Sequence, residues 1–356
     1  MREKHELRRI YVRLPNWVGD VVLATPFLGA LRRAFPKAEI VAHGERRLFD
    51  ILEGAGHYDR AIPLERPPSP VWPYLEGRRV RRIAGACDLA LVLPNSFSAA
   101  LVARSLGAPR RIGYRLDARR FLLTDALPVK KEGRLRPIPM IDYYLGLLHP
   151  LGIDTTGVVK RPVLPVSDAS RERVREILAR QGVREGDRVW ALNAGGVWET
   201  KRWIPEYLGQ LVDMIVERGA KPFLLRGPDE GEIVSRARAA SKAGFLGGDE
   251  VVKLGDLTAF LQRCELLVTT DSGPRHFGIA AGIPVVALIG PTHPAYTVVD
   301  HPALAIVCEE VDCWPCHLPV CPVDFRCMTR LVPEKVARAC DRLLESLAAS
   351  PLGATR

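Results

Sequence analysis

Three short stretches of the chain gather residue types that move protons or hold phosphate, and each follows an apolar run. The first is Leu14-Pro15-Asn16-Trp17-Val18-Gly19-Asp20. Asp20 stands just past a Gly-containing turn, at the start of a helix. A carboxylate there either caps the helix and complements its dipole or serves as a general base. The second is Asn193-Ala194-Gly195-Gly196-Val197-Trp198-Glu199-Thr200-Lys201-Arg202-Trp203. A Gly pair lets backbone amides approach an anion, and the lysine adds a point charge. The stretch is neither a Walker A sequence nor a GxGxxG fingerprint, and many such turns only reverse the chain. The third is Thr269-Thr270-Asp271-Ser272-Gly273-Pro274-Arg275-His276. Hydroxyls and amides at a helix N-terminus suit a diphosphate, while a capping Asp and a satisfied core His account for the same residues without a ligand.

These stretches need strands and helices to present them. Ile10–Leu14, Ile40–Ala42 and Leu89–Leu93 read as short strands, and 21–35 has helical spacing ending at Pro36. The rhythm returns later: strands at Val189–Asn193, Lys221–Leu225 (despite Pro222), Leu266–Thr270 and Pro284–Ile289, helices at Pro205–Arg218 and 333–349. Strands alternating with helices imply parallel sheets. Ligands of such sheets bind outside the carboxyl ends of the strands, where all three stretches fall. The Gly- and Pro-containing segment Ile153–Asp168 reads as an interdomain linker. The expected domains are 1–160 and 161–332, with a helix and tail at 333–356.

The chain has 356 residues, 47% hydrophobic and 26% charged, the balance of a globular protein of about two domains. That excludes a disordered or collagen-like chain, and no apolar stretch approaches a membrane span. The N-terminus Met1-Arg2-Glu3-Lys4-His5-Glu6 has no secretory apolar core, so a cytoplasmic location is expected. The net charge of +10 is unevenly placed: residues 1–160 hold 27 basic and 16 acidic groups, a net +11, and residues 161–356 hold 24 and 25, a net −1. Residues 78–120 alone carry ten Arg, no Lys and two Asp. Such a field attracts an acidic partner: nucleic acid, an anionic membrane surface or a phosphorylated substrate.

Four of the eight cysteines cluster as Cys313, Cys316, Cys321 and Cys327. In a cytosolic chain this spacing points either to a structural four-thiolate site for Zn or Fe or to four reduced thiols in a Pro-rich loop. Cys87, Cys264, Cys308 and Cys340 are scattered and read as small buried residues.

Taken together, the three stretches resemble glycosyltransferase family 9, the ADP-heptose heptosyltransferases of lipopolysaccharide core assembly. The resemblance spans nearly the whole chain. Leu93-Pro94-Asn95-Ser96-Phe97-Ser98-Ala99-Ala100-Leu101 and Gly107-Ala108-Pro109-Arg110-Arg111-Ile112-Gly113-Tyr114 are most similar to its heptosyltransferase II members. The resemblance implies an α/β GT-B fold: two Rossmann-like domains facing across a central cleft, with the acceptor on the first and the nucleotide sugar on the second. It also implies an inverting reaction without a catalytic metal. Asp20 would be the general base. Gly195, Gly196, Lys201, Glu230, Asp271, Ser272, Gly273 and His276 would bind the donor. Some members carry paired hydroxyl residues where this chain has Gly196-Val197, so backbone amides would replace them.

The implied partners are ADP-heptose, a heptosylated Kdo–lipid A acceptor and the inner face of the cytoplasmic membrane, bound peripherally. An acidic glycolipid gives the N-terminal arginines a target, because Arg pairs bidentately with carboxylate and phosphate. Asn95, Ser96, Arg110, Arg111, Arg115, Arg119 and Arg120 are the acceptor-side candidates, with Arg78, Arg79, Arg81 and Arg82 beside them. Two other readings remain: transfer of heptose to a protein, and nucleic-acid binding. Against nucleic acid, residues 78–120 have only Tyr114 and Phe97 as stacking groups, with Phe121 next to them, and no reading motif. No nucleic-acid partner is expected.

Overall fold

The computed structural model describes residues 7–129, 138–297 and 299–349. The chain divides into two compact units. One comprises Met1–Pro165 with Ala295–Asp300, the other Val166–Pro294 with His301–Arg356. The division falls at Pro165 and Val166, inside the segment read as a linker. The helix at Pro333–Ala348 belongs to the second unit and packs into its core through Val336, Ala337 and Cys340.

The first unit begins with β1 (Arg9–Arg13), α1 (Val18–Leu23), α2 (Thr25–Ala34), β2 (Glu39–Gly44), α3 (Arg46–Leu52) and β3 (Arg60–Pro63). It continues with α4 (Trp72–Ala84), β4 (Leu89–Val92), α5 (Phe97–Leu106), β5 (Arg110–Tyr114), β6 (Asp125–Leu127) and α6 (Met140–Leu145). Its six strands are all parallel, in the order β3-β2-β1-β4-β5-β6. Ile10, Tyr11 and Val12 of β1 are fully buried, the continuous burial of a parallel strand covered on both faces.

The second unit opens with α7 (Asp168–Arg180), β7 (Val189–Asn193), α8 (Pro205–Glu217), β8 (Lys221–Leu224), α9 (Gly231–Ala240) and β9 (Leu246–Gly247). Then come α10 (Leu254–Gln262), β10 (Leu266–Thr270), α11 (Gly273–Ala281), β11 (Val285–Ile289), β12 (Leu304–Cys308), α12 (Arg326–Thr329) and α13 (Pro333–Ala348). Its sheet is also parallel, in the order β12-β11-β10-β7-β8-β9. Read from the other side, this is the same doubly wound order. In each unit the strand order reverses between the first and fourth strands, at β1/β4 and β7/β10, the switch point where such folds bind ligands.

Two local departures from the sequence pattern have physical causes. The helical stretch expected over 21–35 is two helices that meet at Ala24. Pro26 has no N–H to continue the ladder, and the Thr25 hydroxyl instead donates to the Val22 carbonyl at 2.7 Å. Pro222 is tolerated in β8 because β9 pairs only from Phe223 onward, so no ladder bond is lost on that side.

Candidate active site

In the second unit the loops that leave β7 and β10 meet at the switch point. Thr270 Oγ1 donates to the Gly195 carbonyl at 2.5 Å, and Ser272 Oγ donates to Asn193 Oδ1 at 3.1 Å. These bonds tie the two strand exits together. Asp271 follows β10 directly and is 7% exposed. Its Oδ1 accepts from Arg275 Nη1 at 2.9 Å, and its Oδ2 accepts from Lys201 Nζ at 3.0 Å and Thr292 Oγ1 at 2.7 Å. Burial alone would raise its pKa. The Lys201 and Arg275 charges and the Thr292 hydroxyl outweigh burial and hold it well below the usual carboxylate range.

One carboxylate is thus shared by two cations. Lys201 gives two bonds to Asp271, one to its carboxylate and one to its carbonyl at 3.1 Å, and an ammonium has three donors. The cation also lies 5.1 Å from the Trp198 ring centroid. His276 is buried, and its pKa is pushed down to about 3, first by burial and then by Arg275. It is therefore neutral, and its Nδ1 has no hydrogen-bond partner among the described residues. At the start of α11 Pro274 has no N–H and Arg275 N donates to the Ser272 carbonyl at 3.2 Å, so the helix start offers the Gly273 amide rather than a row of donors. The switch point of this unit thus gathers two cations, a carboxylate and a helix N-terminus.

Glu230 closes the other side of the Gly turn. Its carboxylate accepts from Gly196 N at 3.1 Å and Gly227 N at 2.8 Å. A Cβ on Gly195 would overlap that carboxylate, so glycine is required there for close approach.

In the first unit Asp20 lies in α1, the third residue after the N-cap Trp17, and is partly exposed. Tyr144 of α6 is fully buried. Its phenol is raised well above its ordinary value by burial, by the Asp20 charge and by its hydrogen bond to Asp20. The turn before α1 is set by Arg13, 3% exposed, which donates to the Leu14 carbonyl and to Asn16 Oδ1, each at 2.6 Å. Asn95 follows β4 on the same edge of the sheet. Its Oδ1 accepts from Tyr143 at 2.7 Å and Arg119 at 3.1 Å. Ser96 caps α5 by accepting from Ala99 N at 3.3 Å.

Residues 77–324 match glycosyltransferase family 9 (heptosyltransferase). The chain belongs to glycosyltransferase family 9. It is similar to lipopolysaccharide heptosyltransferase 2 of Escherichia coli K12, with 26% identity over 81% of this chain and 84% of that protein. Among solved structures it is similar to a family 9 glycosyltransferase from Veillonella parvula, with TM-score 0.81, 25% identity and coverage of 96% and 99%. It is also similar in fold to E. coli ADP-heptose lipopolysaccharide heptosyltransferase II, with TM-score 0.77, 22% identity and coverage of 96% and 100%. The family 9 chain has the α/β GT-B fold class and is a glycosyltransferase.

The candidate arginines of this family 9 enzyme lie in different surroundings. Arg110 and Arg111 open β5, in register with Leu89 and Ala90 at the start of β4. That is the amino edge of the sheet, about a strand length (roughly 13 Å) from the exits of β1 and β4. Arg110 pairs with Asp125 at 2.8 Å, and buried Arg111 donates to the Leu122 and Ala108 carbonyls. Arg119 is fully buried, and burial pulls its pKa down to about 10. It binds the Tyr114, Pro94 and Ser96 carbonyls and Asn95. These three arginines hold loops: Arg111 and Arg119 are buried, and Arg110 is tied to Asp125 and the Pro150 carbonyl. Arg79 pairs with Glu76 and Glu65, and Arg78, Arg81 and Arg82 lie along a crossover helix away from the strand exits. Arg115 and Arg120, exposed past the end of β5, remain at the ligand-binding edge.

The cysteines do not form a ligand set in this family 9 chain. Among the described residues no three Cys, His, Asp or Glu side chains are grouped to hold a metal. Cys327 is buried, and burial with the neighbouring Cys316, Cys321 and Cys313 pushes its thiol up to about 11. Cys321 Sγ accepts from Phe325 N at 3.3 Å.

Sequence reasoning missed Arg13, Tyr144 and Thr292 as site-building residues. Arg275 was visible inside the third stretch: four residues after Asp271 is the helical spacing for an ion pair. Thr292 follows β11 in Gly290-Pro291-Thr292, so strand-exit position was its signal. Tyr144 had none, because α6 is distant in sequence from Asp20.

Proposed function

We propose that this enzyme transfers heptose from ADP-heptose to a heptosyl-Kdo–lipid A type acceptor during lipopolysaccharide inner-core synthesis. The carrying observation is the Asp271–Lys201–Arg275 group at the β7/β10 switch point beside the start of α11, in a chain of a heptosyltransferase family. A leaving ADP gains charge as the glycosidic bond breaks. Lys201, already held in place by Asp271, and the positive end of the α11 dipole stabilise that charge without reorganising. Asp20 takes the proton of the acceptor hydroxyl as it attacks the anomeric carbon from the face opposite ADP, which inverts the configuration. Tyr144 keeps the carboxylate turned toward its task. Ser272, Gly273 and the Gly195–Gly196 turn line the diphosphate, and Glu230 is placed to turn from Gly196 toward the nucleotide. The step as written uses no metal.

Arg115 and Arg120 are the acceptor-side cations under this reading. The acceptor is embedded in a membrane, so the enzyme works at the cytoplasmic membrane surface. Among the described residues no helix is long and apolar enough to cross a membrane. The direct test is incubation with ADP-heptose and heptosyl-Kdo–lipid A, read as ADP release together with a mass gain of one heptose. No transfer to any truncated core acceptor, with transfer to a protein instead, sinks the glycolipid reading.

A further inference from the structure

Helix α4 carries a face that the transfer reaction does not use. At about 100° per residue, Pro73, Glu76, Gly77, Val80 and Ala84 fall on one side, and all are buried. Gly77 sits so close to α5 that a Cβ would stand 2.5 Å from the Val102 carbonyl. The opposite side starts apolar: Val71 is 53%, Tyr74 51% and Leu75 45% exposed. It continues cationic with Arg78, Arg81 and Arg82, whose side chains have no hydrogen-bond or ion-pair partner among the described residues. The one acid of the helix does not neutralise them. Glu76 is 1% exposed, beneath the helix, bonded to His43 at 2.9 Å and to Arg79 at 2.6 Å.

We propose that this outward face of α4 docks the first unit onto an anionic lipid bilayer surface. The chemistry matches an interfacial helix: apolar side chains enter the acyl boundary, and Arg stems run along it with guanidinium groups at the phosphates. The placement matches as well. Because α4 follows β3, its apolar first turn lies at the carboxyl edge of the sheet, where Asp20 and Asn95 stand. Phe97 at the start of α5 and Phe121 extend the apolar rim there, 42% and 72% exposed with ring centroids 6.0 Å apart. A lipid-anchored acceptor then reaches the base without leaving its membrane; this clause rests on the function proposed above, whereas the docking itself does not. A second copy of the chain is a poor occupant. A two-fold interface brings the same patch together, and three unpaired arginines would meet their own images.

The test uses the full chain and sedimentation with vesicles, either equimolar phosphatidylcholine and phosphatidylglycerol or phosphatidylcholine alone. Binding is expected to the anionic vesicles, weakening with salt. Each basic residue near such a surface contributes about fivefold in partitioning, so Arg78→Glu with Arg82→Glu should lower it by more than about tenfold. Leu75→Glu should do the same while leaving transfer to a delipidated, soluble core acceptor unchanged and reducing transfer to the same acceptor in vesicles. All three side chains are exposed, so circular dichroism should match the parent. Wild-type protein that stays in the supernatant with anionic vesicles overturns the proposal, as does unchanged binding by both variants. A dimer that Leu75→Glu converts to monomer assigns the face to a second copy, and binding to RNA in preference to vesicles assigns it to nucleic acid; either result overturns it. Vesicle binding with no transfer to any acceptor leaves this inference standing and removes the proposed reaction.

Discussion

Asp20 and Asp271 are both carboxylates on segments that leave a switch-point strand, Asp271 directly after β10 and Asp20 in the first turn of α1, and their burial and described partners differ. Asp271 is buried and bracketed by Lys201, Arg275 and Thr292. Asp20 is partly exposed and receives a neutral phenol from buried Tyr144. A carboxylate locked between two cations cannot accept a proton near neutrality, but it can fix those cations in place. A carboxylate held by a phenol at the solvent edge keeps its access to solvent. The same residue type thus fixes two cations in the second unit, while in the first it stands partly exposed against a buried phenol.

Asp20→Asn should break the comparison most. Turnover should fall by about 10²–10⁴-fold, with the calorimetric affinity for ADP unchanged; near-normal turnover would end the assignment of Asp20 as base. Asp271→Asn should act on stability instead. It removes the carboxylate that Lys201 and buried Arg275 share, costing about 3–5 kcal/mol in denaturant unfolding. If it loses turnover at unaltered stability, Asp271 is no scaffold. Lys201→Ala should weaken ADP binding by about ten- to hundredfold, as expected for a charged hydrogen bond, and slow transfer; an unchanged donor KM and kcat would contradict its role. Tyr144→Phe removes a bond that favours the carboxylate of Asp20. The acid limb of kcat/KM should therefore move to higher pH by about one unit, with kcat within about tenfold. A limb that stays put would reduce Tyr144 to packing.

In one respect the two units behave alike. Each buries a neutral histidine: His276, pushed down to about 3, and His43, pushed down to about 4 mainly by burial. Below the unfolded value of about 6.5 the unfolded chain takes up protons that the folded chain refuses. Stability is therefore full above that pH and falls as pH drops toward the folded values. From pH 7 to 6 the loss should be about 1 kcal/mol, seen as a lower Tm. A flat Tm over that interval would mean that both imidazoles are protonated in the fold.

The strands that matter were legible because parallel strands buried on both faces read as apolar runs, and their exits fall just after them. Gly195, Lys201, Asp271 and Asp20 were found that way. The arginines were not sortable. Arg110-Arg111 and Arg119-Arg120 look equivalent as dipeptides, but the register of β5 against β4 sends the first pair to the amino edge. Burial separates Arg119 from Arg120, and burial depends on which carbonyls the fold brings around a guanidinium. The cysteine spacing invited a metal because spacing records only chain separation, not the directions in which four thiols point.

The sequence by itself determined the two parallel sheets, the family and the position of the three candidate stretches at strand exits. These follow from local periodicity and from residue types at short spacing. Only the tertiary structure decided that Asp271 is a clamp, that Tyr144 serves Asp20, that Arg119 is internal and that one face of α4 is left uncovered. Each of these depends on partners from separate elements, through burial and the distances between charges, and neither quantity is encoded in any one stretch of the chain.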